Sequence, residues 1–466
     1  MAGLQIVSTG LLFGTGLRTT TGLTSGGGLQ VAGLSGAAQL LLNETQGLAV
    51  DFTDLSMVIK DTTTPANNFD GDPNSKLTYS SPSTKWVLGA NGLFSSGTTL
   101  RTSYDASGNV LGVRIEEART NLLLQSQTFT NASWTKVSST ITASAATSPD
   151  GSANASKIVE DAITNVHNAQ QAITKAASAI QYTFSGFVKA GERTWCELFV
   201  FDGAADGQRQ YVNLTTGAAG NASAQGAGFT GVSFASSLRP DGWVYFAWVF
   251  TTNTATALQC RIYTASANGT DNYAGDGASG IYVWNMQLEA GAFATSPIVT
   301  TTGTVTRTAD NITMATSLFP LSQIEGTIFA KWQINTTVPS FSPVVELTAA
   351  SRNNSDQVLR HNAGTTIVGV VTGAAFAILI NQTLTGSASA NTVYKGAIRA
   401  KTNDFNSALN GVAQTAVTTG TWPGAALTTF SIGQQQGGGS YLNGYLAKLM
   451  YVPRNFTDPQ MVAQTT

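Results

Sequence analysis

GWVYFAWVF, residues 242–250, crowds aromatic and aliphatic side chains into a short run that opens on glycine, the composition of a buried strand. The same kind of run recurs along the chain as YTFSGFVKAG (182–191), WCELFVFDG (195–203), GIYVWNMQLE (280–289) and GTIFAKWQI (326–334), each bounded by Gly, Asp or Asn. Long helical periodicity is nearly absent. The best helical candidate is TDPQMVAQ (457–464), barely two turns, with Asp458 in its first turn. Short strands at turn-separated intervals predict an all-β protein of antiparallel sandwiches.

Composition narrows what such a protein does. At 466 residues there is room for roughly three domains with real cores. Charged residues make up 11% of the chain, against the usual quarter or so, and the surface is expected to be polar but uncharged. Hydrophobic residues at 42%, with aromatics spread throughout, argue against disorder. A net charge of -2 offers no electrostatic case for nucleic acid or acidic lipid, and no apolar run approaches a membrane span. The start, MAGLQIVSTGLLFG, lacks a basic region and is broken by glycines and Gln5, so a secretory signal is not expected. Cys196 and Cys260 stand alone and read as small core residues, not a disulfide framework.

The first fifty residues differ from the rest. In GLRTTTGLTSGGGLQVAGL (16–34) and just before it, Leu11, Leu17, Leu23 and Leu29 recur every six residues. Six is even, so an extended chain places all four on one side, whereas a helix would scatter them. Such a ribbon has a thin apolar edge that it cannot bury alone, and copies of itself around a threefold axis would cover it. The alternative is a flexible Gly/Thr leader. Beyond this extended oligomerising segment (1–50) the expected order is a small β connector (51–118), a sandwich (119–293), a linker (294–311) and a second sandwich (312–466).

The chemistry available is sparse. His167 and His361 fall in different domains, without a nucleophile signature beside either. Glu116 and Glu117 are adjacent, so on a strand they face opposite ways and read as solvated charge, not as a paired acid and base. GGGSYLNG lacks the lysine of a phosphate-binding loop. Asp271 and Asp276 share a glycine-rich loop whose spacing suits a calcium ion, although acidic turn residues beside glycine need no metal. Catalysis is not expected.

Two groups of residues carry a resemblance. IEEARTNLLLQSQTF (115–129), followed by Trp134 and SPDGSANASKIVED (148–161), leads to VWNMQLEAGAFATSPIVTTTGTVTRTADN (283–311). These resemble the opening and closing signatures of a carbohydrate-binding-module-like jelly roll in tailed-bacteriophage fibre, spike and head-fibre proteins, over roughly 115–311. SPIVT departs from the pattern, which more often has an aromatic after the serine. The end, SIGQQQGGGSYLNGYLAKLMYVPRNFTDPQ (431–460), is similar to the closing strands of a concanavalin-A-like or laminin-G-like sandwich, with Gln460 where the pattern has Glu.

The resemblance implies a virion structural protein made in the bacterial host cytoplasm: a tail fibre or spike component that attaches to host surface polysaccharide without hydrolysing it. It would be a homotrimer held to other virion proteins by its N-terminal segment. The alternative is a head-fibre or adaptor subunit concerned with assembly. A depolymerising tailspike fits less well, since neither a sustained solenoid repeat nor a carboxylate array is present. Sugars offer apolar faces ringed by hydroxyls, which suits a flat aromatic beside amides and carboxylates. Most aromatics, Trp243 and Trp248 among them, lie inside strand runs and read as core. Two stand outside: Tyr273, with Asp271, Asn272 and Asp276 around it, and Trp422, beside Pro423 in a stiff turn. These five residues are the expected glycan contacts.

Overall fold

The computed structural model describes residues 34–466 except 82, 336–340, 351–355, 363–366, 374–377 and 386–387. Leu11, Leu17, Leu23 and Leu29, with the threefold packing expected of them, lie outside the described residues. Strands dominate as expected, all paired antiparallel. They build two sandwiches, one carried within the other.

The inserted sandwich is made of two six-stranded sheets. One runs in the order Thr135–Val137, Asn168–Thr174, Ala257–Ala265, Trp195–Phe201, Gly207–Asn213, Ala219–Gln225; the other runs Ser139–Ala146, Ala155–Glu160, Gly280–Ala290, Gln181–Ala190, Trp243–Thr251, Thr230–Leu238. In Trp243–Thr251 the side chains of Val244, Phe246, Trp248 and Phe250 enter the core between the sheets. Trp243 is buried on the other face, in a cluster with Phe187 and Trp284 that Phe94 packs against. That outer cover, complete at Trp243 and partial at Tyr245 and Ala247, explains why GWVYFAWVF shows no polar alternation. Cys196 and Cys260 are free and lie in the same core.

The carrier sandwich departs from the expected boundaries. Its ten-stranded sheet contains Gly47–Asp51, Ser56–Lys60 and Val110–Ile115 beside Gly444–Val452, Glu325–Ile334 and Val393–Lys401. Its seven-stranded sheet joins Thr78–Ser80 to Asn311–Ala315 and Leu427–Ile432. Leu48, Val50, Met57 and Ile59 share one buried cluster with Ile328, Trp332, Phe430 and Leu449. The stretch expected as a separate connector is therefore structural fabric of the C-terminal sandwich, and the expected boundary at residue 50 falls inside a strand. Gly47–Asp51 is buried throughout because helices Gly36–Leu40 and Asp458–Thr465 cover the outer face of its sheet, where Ala37, Leu41, Phe329, Met450 and Met461 meet.

The chain leaves the carrier after Val110–Ile115 and returns at Asn311–Ala315, and the two crossings pair as Arg119–Asn121 with Val305–Arg307. Arg119 and Arg307 are direct partners in that ladder. The opening and closing signatures thus meet in space, around buried charge. Glu116, expected in solvent, is 2% exposed. It accepts from the Ser296 backbone at 2.8 Å and hydroxyl at 2.7 Å. Arg114 lies 2.8 Å, Lys85 3.6 Å and Arg307 3.7 Å from its oxygens. Burial alone would raise the Glu116 pKa; Arg114, Arg307 and Lys85 overcome it and hold the carboxyl well below its usual range. Asp310 accepts from the Glu116 backbone at 2.8 Å and from Tyr79 at 2.6 Å, and also receives Lys85. Neither glutamate lies on a strand, and Glu117 is paired as well: it binds Arg119 at 2.6 Å and accepts from Asn443 at 2.9 Å. The expected linker is drawn into the same junction, with Thr295, Ser296, Ile298 and Thr300 all buried.

Candidate functional site

The loop that was expected to hold sugar divides into two unrelated sets of contacts. Asn272–Ala274 pairs with Thr164–Val166 as a small two-stranded sheet. Asn272 is exposed on it. The Tyr273 ring lies between Arg193, 4.9 Å from its centroid, and the buried His167. Its hydroxyl donates to Glu160 at 2.6 Å and lies 2.6 Å from Thr264. This is a packing plug, and the ring face is not free for a sugar. Asp276 accepts from the Ser279 hydroxyl at 2.5 Å and from the backbones of Ser279 and Ala278, bonds that hold its carboxyl well below the usual range. Asp271 turns instead to Arg209, 3.4 Å away. The two aspartates expected to cup calcium therefore serve different partners, and among the described residues no group of three or more His, Cys, Asp or Glu gathers.

Trp422 is also corrected. It is 3% exposed and part of the carrier core, with its carbonyl accepting from Thr402 at 2.9 Å. A proline-stiffened turn has folded the indole inward, so it presents no platform.

The aromatic surface that the structure does offer lies between the two sandwiches. A cleft of about 710 Å3 opens there. The carrier contributes Trp86, Tyr104 and Tyr445, and the inserted sandwich Tyr245 and Phe293, each half-buried. Trp86 stands on the hairpin Lys85–Leu88 and Phe94–Gly97, edge-on to Trp284 with ring centroids 6.4 Å apart. Arg239 fastens that hairpin down, donating to the Gly92 carbonyl at 2.7 Å while paired to Asp241 at 2.9 Å. On the facing wall Tyr245 projects outward because its strand neighbours Val244 and Phe246 fill the core.

A β-bulge shapes the same wall. Strand Gly280–Ala290 slips register against Gln181–Ala190 between Trp284 and Gln287, with Asn285 at φ +47. The slip moves the outward parity from Tyr282 and Trp284 to Gln287, a use of bulges common beside functional sites. Gln287 is held in place by the Ile298 backbone, which donates to it at 2.7 Å.

The cleft also carries polar groups suited to hydroxyls. Gln333, Asn335 and Asn391 line it, and their side-chain amides have no hydrogen-bond partner among the described residues. Arg114 sits on the floor, its guanidinium 5.8 Å from the Tyr445 ring centroid. Burial alone would lower its pKa, but Glu116 more than offsets that, so it stays cationic. Half-buried rings, these amides and the fixed guanidiniums of Arg114 and Arg239 can grip a molecule that has apolar C–H faces and hydroxyl edges. Sequence reasoning missed this site. Its residues run from Trp86 to Tyr445 without a shared motif; the single local trace is WVLGANGLF (86–94), a hairpin with an aromatic at each end.

No family model matches the sequence, and no curated protein does. Among solved structures, the CBM40 of Ruminococcus gnavus IT-sialidase bound to α2,3 sialyllactose is similar at 11% identity and a TM-score of 0.27, covering 31% of this chain and 84% of that one. Domains LG4-5 of the mouse laminin α1 chain give 10% identity and 0.22, covering 63% and 92%. Trypanosoma rangeli sialidase in complex with sialic acid gives 10% identity and 0.25, covering 67% and 60%.

Proposed function

We propose that the protein is a non-catalytic attachment subunit of a bacteriophage virion, a tail fibre or spike component, and that it holds host surface glycan in the cleft between its two sandwiches. The observation that carries the reading is the cleft itself: Trp86, Tyr245 and Tyr445 presented beside the amides of Gln333, Asn335 and Asn391. The virion setting rests on the paired sequence signatures, and with it go the homotrimer and the anchoring role of the N-terminal segment. Absence of hydrolysis is part of the proposal, supported by two histidines that both serve packing: His167 lies 2.6 Å from the Ser138 carbonyl, and His361 accepts from Trp332 at 2.8 Å.

Tyr445→Ala, which removes a half-buried ring and leaves its strand pairing intact, is expected to weaken binding to host cells about tenfold, the loss of one stacking contact. The purified protein is expected to release no reducing ends from host polysaccharide. Unchanged binding by a folded Tyr445→Ala protein would remove the cleft from the account and favour the assembly role.

A further inference from the structure

The cleft between the sandwiches holds a cation that the fold engages on one edge only. Arg114 stands on Val110–Ile115 between Val113 and Ile115, whose side chains enter the carrier core, so its own side chain projects the other way and lines the cleft. Its Nε lies 2.8 Å from Glu116, while Nη1 and Nη2 make no hydrogen bond among the described residues. Tyr445 is its direct cross-strand partner, and Tyr245 lines the facing wall.

The other charges of the lining are already engaged. Arg239 is held by Asp241 and the Gly92 carbonyl. Asp105 accepts from the backbones of Ser107 and Asn109 at 2.9 and 2.8 Å and from the Asn109 side chain at 2.8 Å, all within its own turn. Ser103 adds a second unmatched group. It is 2% exposed and lines the same cleft, and its hydroxyl is buried with no hydrogen bond, an uncommon state for a buried polar atom. Ser103 pairs with Gly112, two residues before Arg114 on the same face of that strand.

Positive charge continues along the carrier wall. Gln333, which lines the cleft, is the cross-strand partner of Tyr445, and Lys331 shares its face because Trp332 between them fills the core. Lys331 is itself flanked in register by Lys448 and Lys395. Lys448 pairs with Asp51 at 2.8 Å and Lys395 donates to the Thr466 carbonyl. Lys331 has no hydrogen bond or ion pair among the described residues. Like charges placed directly opposite one another on a sheet repel, so this row favours a counter-charge from outside the chain.

That arrangement selects among ligands. A metal ion would be repelled by Arg114 and Lys331. A neutral sugar could stack on the tyrosines but would offer the guanidinium no charge. A carboxylate matches the planar fork with two parallel, charge-assisted hydrogen bonds. We propose that the glycan taken by the cleft is acidic, with a sugar carboxylate received by Nη1 and Nη2 of Arg114 beside Ser103, and with the next negative charges of the polymer lying along the row of Lys331. This inference rests on the cleft being the glycan site and names the chemical class that it takes.

The test is saturation-transfer NMR on the full chain with methyl glycosides in three matched pairs: galacturonate, glucuronate and N-acetylneuraminate, each beside its methyl ester. Each pair keeps the ring and its hydroxyls and differs in the charge. At least one acid is expected to show transfer, and its ester at least fivefold less. Arg114→Gln is expected to abolish the transfer, and Arg114→Lys, which keeps the charge without the fork, to retain only part of it. Should Arg114→Gln fail to fold, the comparison of acid with ester decides on the unaltered protein. No transfer from any of the three acids, equal transfer from acid and ester, or transfer that survives Arg114→Gln overturns the proposal. The two readings fail separately: equal transfer from acid and ester that Tyr445→Ala abolishes leaves the cleft as the glycan site and removes the acid preference, whereas host-cell binding that Tyr445→Ala leaves intact removes the cleft itself.

Discussion

The inserted sandwich draws all its strands from one unbroken run between Thr135 and Ala290, whereas its carrier is assembled from two flanks separated by that run. In the first, every long-range pairing closes within the unit. In the second, Gly47–Asp51 and Val110–Ile115 find their partner in Gly444–Val452, at the other end of the sequence. Chain continuity and structural unity therefore coincide in one sandwich and part in the other, and their autonomy should differ in the same way. Residues 117–308 alone are expected to fold, with dispersed amide resonances and near-ultraviolet circular dichroism. Residues 310–466 without 36–116 are expected to stay unfolded, because Leu48, Val50, Phe52, Met57 and Ile59 are missing from their core. A folded 310–466 fragment would erase the distinction.

The next largest effect belongs to the place where the two meet. Glu116→Ala takes from Arg114 its carboxylate partner and leaves Lys85 and Arg307 to share Asp310, and breaking a buried network of this kind costs roughly 3–5 kcal/mol. Calorimetry is expected to show the carrier transition falling accordingly. Lys157 and Glu192 form a pair at 2.7 Å on the inserted sandwich, but Glu192 is 54% exposed, and Glu192→Ala is expected to cost less than about 1 kcal/mol. Comparable losses from the two substitutions would mean that the junction is not the special element it is taken to be.

The same contrast decides what was legible in the sequence. YTFSGFVKAG, WCELFVFDG and GWVYFAWVF announce strands Gln181–Ala190, Trp195–Phe201 and Trp243–Thr251, because an antiparallel strand is visible locally through its side chains. Which strand pairs with which is not local. Nothing in GLAVD (47–51) says that a partner lies some four hundred residues away in Gly444–Val452, so local pattern alone divides the carrier into a connector and a separate domain. Glu116 looked solvated for a related reason: its ligands Lys85, Ser296 and Arg307 lie far apart in the chain. The cleft was hidden twice over, since it needs both sandwiches and their docking. Tyr273 and Trp422 stand out in the sequence because they lie outside the long strand runs, yet distant partners bury both rings: Arg193, His167 and Glu160 surround Tyr273, and the carrier core takes in Trp422.

Acidity should separate the sandwiches in opposite directions. Glu197, in the inserted unit, has its pKa raised from 4.5 to about 7 by burial. Its contribution to stability is full below about 4.5 and is lost as pH rises through 7, since the native state holds the proton more tightly. His361, in the carrier, is lowered by burial from 6.5 to about 4. Its contribution is full above about 6.5 and is lost as pH falls through 4. Each contribution amounts to roughly 3 kcal/mol across its window. Between pH 5 and 7 the inserted unit is therefore expected to lose stability relative to the carrier. Glu197→Gln should flatten the pH slope of the first transition and leave that of the second, as followed by calorimetry at several pH values. Parallel slopes that the substitution does not alter would show that neither group governs its sandwich.

The smallest expected effect probes whether the C-terminal helix is part of the carrier or an appendage. Helix Asp458–Thr465 starts on a capping box: the Thr457 hydroxyl accepts from the Gln460 backbone, and the Gln460 side chain accepts from the Thr457 backbone at 2.9 Å. Glutamine thus fills the role that glutamate has in the resembled ending, since either side chain supplies the acceptor. Asp458 adds a second tie, binding Arg399 at 2.6 Å and Asn406 at 2.8 Å on the sheet below. Met461 is buried against that sheet with Ala397 and Ala408. Thr457→Ala removes the hydroxyl acceptor and leaves these contacts in place, so it is expected to cost about 1 kcal/mol. Because the helix covers strands whose cooperativity spans Gly47 to Val452, the loss should appear in the carrier transition and leave that of the inserted sandwich unmoved. A helix that frays alone, seen as faster amide exchange at Val462 and Ala463 with the carrier transition unchanged, would separate it from the carrier and confine the unit to its two sheets.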